Sequence, residues 1–197
     1  IKDHFGTSNM VALLVPSGDY EAESNVLREL NARPEVKSTM GLSGIEALDG
    51  YTLTEALNPR ELSELIGLDY EVMEILYTAY ATEHNQYGKI LNGLDEYEIP
   101  LFDMFIYLKE QLEAHNITLT GEDQAMIDDL FEQLELAQMQ LQNDTYSRMV
   151  VYLTLPEEGE ETYAFLEEMR SIIGKYYEED YYVVGNSTSS RDLSASF

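Results

Sequence analysis

Cysteine and tryptophan are absent from this chain of 197 residues, and histidine occurs three times. Without a thiol, neither a disulfide framework nor a thiolate metal site can form, and redox chemistry gives no clue to compartment. His4, His84 and His115 stand far apart with no H-x-x-x-H or H-E-x-x-H spacing, so no zinc ligand set is visible. Positive charge is equally scarce: 11 basic residues face 38 acidic ones, for a formal net charge of -27. Such a balance repels nucleic-acid phosphates and anionic membrane surfaces, so nucleic acid is excluded as a partner. Long hydrophobic runs are missing too. None approaches the ~20 apolar residues that span a bilayer, and the N-terminus has no signal-peptide pattern, so the stretch itself reads as soluble.

Catalytic signatures are absent in the same way. Ser43 lies in G-L-S-G rather than G-x-S-x-G, and no histidine stands in a triad context. There is no G-x-G-x-x-G, no Walker sequence and no calcium-loop spacing around Asp95-Glu96 or Asp128-Asp129. Carboxylate pairs such as Glu71 with Glu74 or Glu157 with Glu161 arise by chance in so acidic a chain and select no acid-base couple. The sequence therefore assigns no catalytic, cofactor-binding or metal-ligating residue, and neither an enzymatic activity nor a cofactor is expected.

What is present is organised around an echo. Met149–Pro156, MVVYLTLP, is a β-branched apolar run closed by proline, and Met10–Pro16, MVALLVP, repeats it near the start. Each is followed by an acidic helix-forming segment and then by a second β-rich run, Val36–Met40 and Tyr181–Val184 respectively. Asp19 can cap the first helix, whose apolar positions are Ala22, Val26, Leu27 and Leu30; Phe165, Leu166, Met169, Ile172, Ile173 and Tyr176 mark the core face of the second, placed at 157–177. The expected fold is α+β. Two β-α-β units, residues 1–50 and 147–197, make a ferredoxin-like four-stranded antiparallel sheet in strand order 4-1-3-2, with the chain near Asn9 and Gly185 at one end.

Between strands two and three, residues 51–146 are expected to form an all-helical insertion. Asn58-Pro59-Arg60-Glu61 is a capping-box start, Asp69 opens a helix with Val72, Ile75, Leu76, Ala79 and Tyr80 on one side, Pro100 opens a third and Thr120 caps the longest. This insertion holds 20 acids and 3 bases and is the more acidic part. Its aromatics, Tyr77, Tyr80, Tyr87, Phe102, Phe105 and Tyr107, read as core packing, or alternatively as the lining of a path for an apolar or amphipathic ligand. The tail after Gly185 can start a helix at its serines, and a chain that begins without methionine and stops in mid-pattern reads as part of something longer.

The F-G-x-x-N-x-V-x-L-L-V-P pattern of Phe5–Pro16, with Val36-Lys-Ser, MVVYLTLPEEGEET and YYVVGNSTSSRDL, resembles the first extracytoplasmic loop of a resistance-nodulation-division (RND) exporter. More narrowly it is similar to the branch related to the large mycobacterial membrane proteins (MMPL-like). The resemblance covers residues 1–48 and 147–197; the insertion matches only in composition and place. It implies a porter-type domain on the extracellular face of the cell membrane, within a proton-driven exporter of drugs, lipids or other amphiphiles. The implied partners are the transmembrane helices and second extracytoplasmic loop of the same chain, and a hydrophobic or amphiphilic substrate. No functional residue carries over, because the family's proton-relay acids lie in membrane helices. The alternative, from another class, is a free-standing secreted or surface-anchored module whose acidic insertion binds a peptide or cationic ligand.

Overall fold

Alternation of burial along Asn9–Pro16 shows one face of a strand turned inward: Val11, Leu13 and Val15 are fully buried while Met10 is exposed. A computed structural model of the chain describes residues 9–143 and 145–185, so the lead-in containing His4 and the tail expected to start a helix lie outside the described residues. In chain order the elements are β1 (Asn9–Pro16), α1 (Tyr20–Asn31), β2 (Val36–Met40), β3 (Glu46–Leu48), β4 (Tyr51–Thr52) and β5 (Ala56–Leu57). Then come α2 (Pro59–Ile66), α3 (Tyr70–Glu83), β6 (Ile99–Pro100), α4 (Leu101–Glu113), α5 (Gly121–Leu141), β7 (Tyr146–Leu153), α6 (Glu160–Tyr177) and β8 (Tyr182–Gly185). The described residues divide into two compact units: one runs to Gly44 and resumes at Gln138, and the other is Ile45–Ala137.

The first unit is α+β, built on a four-stranded antiparallel sheet in the order β2-β7-β1-β8. β1 and β7, the two most continuously apolar runs, pair along their whole length from Asn9 opposite Leu153 to Pro16 opposite Tyr146. Placing them centrally protects the strands that have most to lose from solvent. β8 adds to the other side of β1, with Gly185 opposite Val11. Helices α1 and α6 share one core with the inward face: Val26, Leu27 and Leu30 meet Phe165, Leu166, Met169 and Ile173 over Val11, Leu13, Met149 and Val151. Asp19 caps α1, its Oδ1 accepting from the Ala22 amide at 3.0 Å. α6 starts at Glu160, three residues after the expected Glu157, because Glu157 and Glu158 precede Gly159, whose φ of 133° no helix can hold. The sheet's second face carries Met10, Ala12, Leu14, Tyr152, Tyr182 and Val184, with Met10, Tyr182 and Val184 exposed.

The second unit corrects the all-helical expectation. β3 and β4 form a hairpin about Asp49-Gly50, both at positive φ (47° and 85°), the conformation a tight two-residue turn requires. β5 pairs with β6, and the Leu53 and Glu55 carbonyls accept from the Phe102 and Leu101 amides at 2.7 and 2.9 Å. These bonds satisfy first-turn donors of α4, which begins at Leu101 after Pro100 and has no side-chain cap. The capping box of α2 is present, Glu61 N donating to Asn58 Oδ1 at 2.8 Å and Asn58 N to Glu61 Oε2 at 2.9 Å. On α3 the buried face is Met73, Leu76, Tyr77 and Tyr80, whereas Ile75, expected inside, is 67% exposed. Ile127, Leu130, Leu134, Ala137 and Leu141 of α5 are buried as their spacing implies. No helix among the described residues is long and apolar enough to cross a membrane.

Candidate functional site

A concavity lies where α4 hands over to α5 in the second unit. α4 ends at Glu113 with Ala114 as its C-cap, and His115 takes a left-handed φ of 58° that turns the chain out of the helix. α5 begins after Thr120, whose carbonyl accepts from the Gln124 amide and whose hydroxyl bonds Asp123 Oδ2, both at 2.8 Å. Between the two helices and their connection opens a cavity of about 480 Å³, within the size range of small-molecule sites. Leu112, Ile117, Leu119 and Phe131 give it an apolar lining.

Its charged lining is mostly acidic. Glu113, Asp128, Glu132 and Glu135 contribute carboxylates, and Lys109 is the one lysine or arginine among the lining residues. The Lys109 ammonium is paired with Glu135, which leaves Glu113, Asp128 and Glu132 without a free lysine or arginine in the lining, where His115 is the only other basic side chain. Gln124 Nε2 donates to Asp128 Oδ1 at 2.8 Å and holds that carboxylate in place. The C-terminal end of α4 adds the negative end of its dipole to the same wall. Chemically, the arrangement favours an apolar body bearing positive charge and disfavours an anion.

The aromatic clusters named from sequence are elsewhere, and all but the half-buried Tyr87 are interior. Tyr77, Tyr80, Phe102, Phe105 and Tyr107 are all buried. Tyr80 stacks on His84 at 4.3 Å between centroids and meets Tyr107 edge-on at 5.2 Å, while Tyr77 meets Tyr97 edge-on at 6.4 Å. The Tyr77 hydroxyl donates to the Leu57 carbonyl at 2.8 Å and the Tyr80 hydroxyl to Gln86 Oε1 at 2.9 Å. Burial raises the pKa of both phenols and pushes that of Tyr107 up to about 12, so all three remain neutral. This cluster is packing rather than a ligand path.

A polar feature of the first unit went unnoticed in the sequence. Glu23, on the inward face of α1, is 2% exposed. Its Oε2 accepts from the Ser147 hydroxyl at 3.0 Å, and its Oε1 lies 3.5 Å from the Ser43 amide. Ser147 also approaches the Leu141 carbonyl at 3.4 Å, and the Ser43 hydroxyl approaches the Tyr20 carbonyl at the same distance. Burial is the dominant influence on the Glu23 carboxyl and raises its pKa, while the bond from Ser147 and the amides of Ser43 and Leu42 pull the other way. Glu23 thus ties α1 to both stretches of chain, at Ser43 and at Ser147, that flank the excursion into the second unit. Ser43 is a structural partner here, and its carboxylate neighbour is too enclosed for a substrate to reach.

The remaining candidates do not converge. His84 stacks in the tyrosine cluster and His115 lines the cavity. Among the described residues no group of three or more histidine, aspartate or glutamate side chains is arranged to hold a metal ion. The cavity residues carry a faint sequence signal: Ile117 and Leu119 alternate with threonines in an otherwise polar connection, apolar side chains that a solvated loop has no use for. No protein-family model, no curated protein and no solved structure matches the chain.

Proposed function

We propose that the chain is the first extracytoplasmic loop domain of a proton-driven RND exporter of the MMPL-like branch, serving substrate passage or docking on the extracellular face without catalysis. The observation that carries this reading is the pairing of β1 with β8, which sets Gly185 opposite Val11. The first strand therefore enters the sheet at the end where the last one leaves, the arrangement needed by a domain held between two adjacent membrane helices. The sheet order β2-β7-β1-β8, with α1 and α6 on one face, supports a ferredoxin-like class for this unit. The half-open apolar second face, with Met10, Tyr182 and Val184 exposed, offers a surface on which other parts of a transporter chain can pack. The cavity of the second unit favours the alternative, a free-standing secreted or surface-anchored acidic binding module.

One experiment separates the two. A specific protease site is introduced between Lys89 and Asn92, in the connection that follows α3, within the gene carrying its native flanking codons, and intact cells are treated with the protease. An exporter loop leaves both fragments in the membrane pellet after an alkaline urea wash, because each is anchored by its own span. Release of either fragment into the wash refutes the exporter reading.

A further inference from the structure

We infer that the cavity between α4 and α5 is a binding site for a compact lipophilic organic cation. The inference rests on the second unit alone and is independent of the exporter reading. Three observations act together. The lining is apolar at Leu112, Ile117, Leu119 and Phe131, so a ligand gains by leaving water. Its volume of about 480 Å³ matches a small molecule of several rings, and is too confined for a folded partner. Its charge is unbalanced: Lys109 is committed to Glu135, and Glu113, Asp128 and Glu132 have no other lysine or arginine in the lining, His115 being the one further basic side chain there.

The cation requirement follows from what the site lacks. An anionic amphiphile entering it would place its charge beside three carboxylates and the carbonyl end of α4, with the single ammonium already paired. A neutral ligand would gain the apolar contact but leave the field unused. A delocalised cation carries a small desolvation cost and can sit over the Phe131 ring while remaining within reach of Asp128 and Glu132, one turn apart on α5. The high net charge of the whole chain draws any cation weakly; what distinguishes this place is that charge and apolar surface coincide.

The probe is tetraphenylphosphonium, titrated calorimetrically into the whole chain at physiological ionic strength, with tetraphenylborate as an anion of the same shape. The expected result is saturable 1:1 binding of the phosphonium, with the borate weaker by about tenfold or more. Asp128→Asn with Glu132→Gln, both exposed positions, weakens phosphonium binding by about tenfold. The charge-matched control Glu157→Gln with Glu160→Gln, also exposed and far along the chain in the first unit, leaves it unchanged. Phe131→Ala weakens both ions, and circular dichroism checks that every variant is folded. Equal affinity for the two ions, an equal loss in the control, or no saturable binding up to millimolar phosphonium each overturns the inference.

Discussion

Glutamate in a closed core gives a stability profile opposite in sign to that of most carboxylates, and Glu23 is the place to measure it. Its carboxyl is buried behind α1, bonded by Ser147 and facing the Ser43 amide, and burial raises its pKa above the ordinary value of 4.5. The sign follows from linkage. Below the unfolded value both states hold the proton and the full contribution is present. As pH rises, the unfolded chain ionises first while the folded one keeps its proton, so stability falls until the folded carboxyl also ionises. Within that window the loss reaches up to about 1.4 kcal/mol per pH unit, the value for one proton. Glu23→Gln removes the titration while keeping the shape. Its amide nitrogen can donate to Ser147 Oγ, whose hydroxyl then turns to the Leu141 carbonyl 3.4 Å away, and its oxygen can still face the Ser43 amide. Tyr177 on α6, raised by burial, and Asp19 lie on the same side, but the Tyr177 phenol stays neutral throughout the range. Glu29 works in the other direction: the bond from Lys175 lowers its pKa, so its contribution is lost as pH falls below the usual carboxylate range, outside the Glu23 window. Urea unfolding of wild type and Glu23→Gln at several values between pH 4.5 and 8, followed by circular dichroism, cancels everything the two share, including the second unit. The difference should grow in favour of the variant as pH rises and then level off. Parallel profiles would show that Glu23 is ionised and solvated in the native state, and the reasoning from burial would fail.

Two further substitutions test other joints of the structure. Gly41→Ala would set its new methyl 2.8 Å from Leu27 Cδ1 and 3.2 Å from both Glu23 Oε1 and Met149 Cγ, and should cost about 1–3 kcal/mol of overpacking in chemical denaturation; a neutral result would mean that α1 is held less tightly than described. Asn58→Ala removes the capping box of α2 and should lower stability by about 1 kcal/mol, with hydrogen exchange faster at the start of that helix; unchanged exchange at the Glu61 amide would show that the cap is not formed in solution.

The strands at the centre of the sheet were legible because their information is local: an uninterrupted apolar run and a closing proline suffice for β1, whereas β7, expected at Met149–Pro156, begins earlier at Tyr146 and ends at Leu153 because its pairing with β1 sets its length. The caps at Asp19 and Asn58 were legible for the same reason, each bond spanning three residues. The Asp49-Gly50 turn was readable in principle, since Asp-Gly is a strong hairpin signal, but Gly41 and Gly44 close before it blur where a turn must fall. Other features depend on distance along the chain. The β5–β6 ladder joins two residues to two residues with α2 and α3 between, too short for any period to show. Apolar residues surround α3, so only its neighbours decide that Met73 and Tyr77 turn inward and Ile75 outward. Glu23 looked like one more solvated acid because its partner, Ser147, is 124 residues away. The cavity is likewise a product of how two helices meet, and linear spacing showed only its two stray apolar residues, Ile117 and Leu119.

The antiparallel pairing of β2 with β7 has a kinetic side. Topologically these strands are a hairpin whose loop has been enlarged to hold Ile45–Ala137. Were that loop a random coil, closing it rather than a turn of a few residues would cost about 2.5 kcal/mol more in chain entropy, and the search for register would be slow. A loop that folds by itself, with its own caps and ladders, shortens the effective contour between Met40 and Tyr146 before the sheet has to assemble. An insertion that folds first would act as a folding clamp for the domain that hosts it, and loosening the inserted unit would then slow the closing of β2 onto β7 in stopped-flow refolding without touching a residue of either strand.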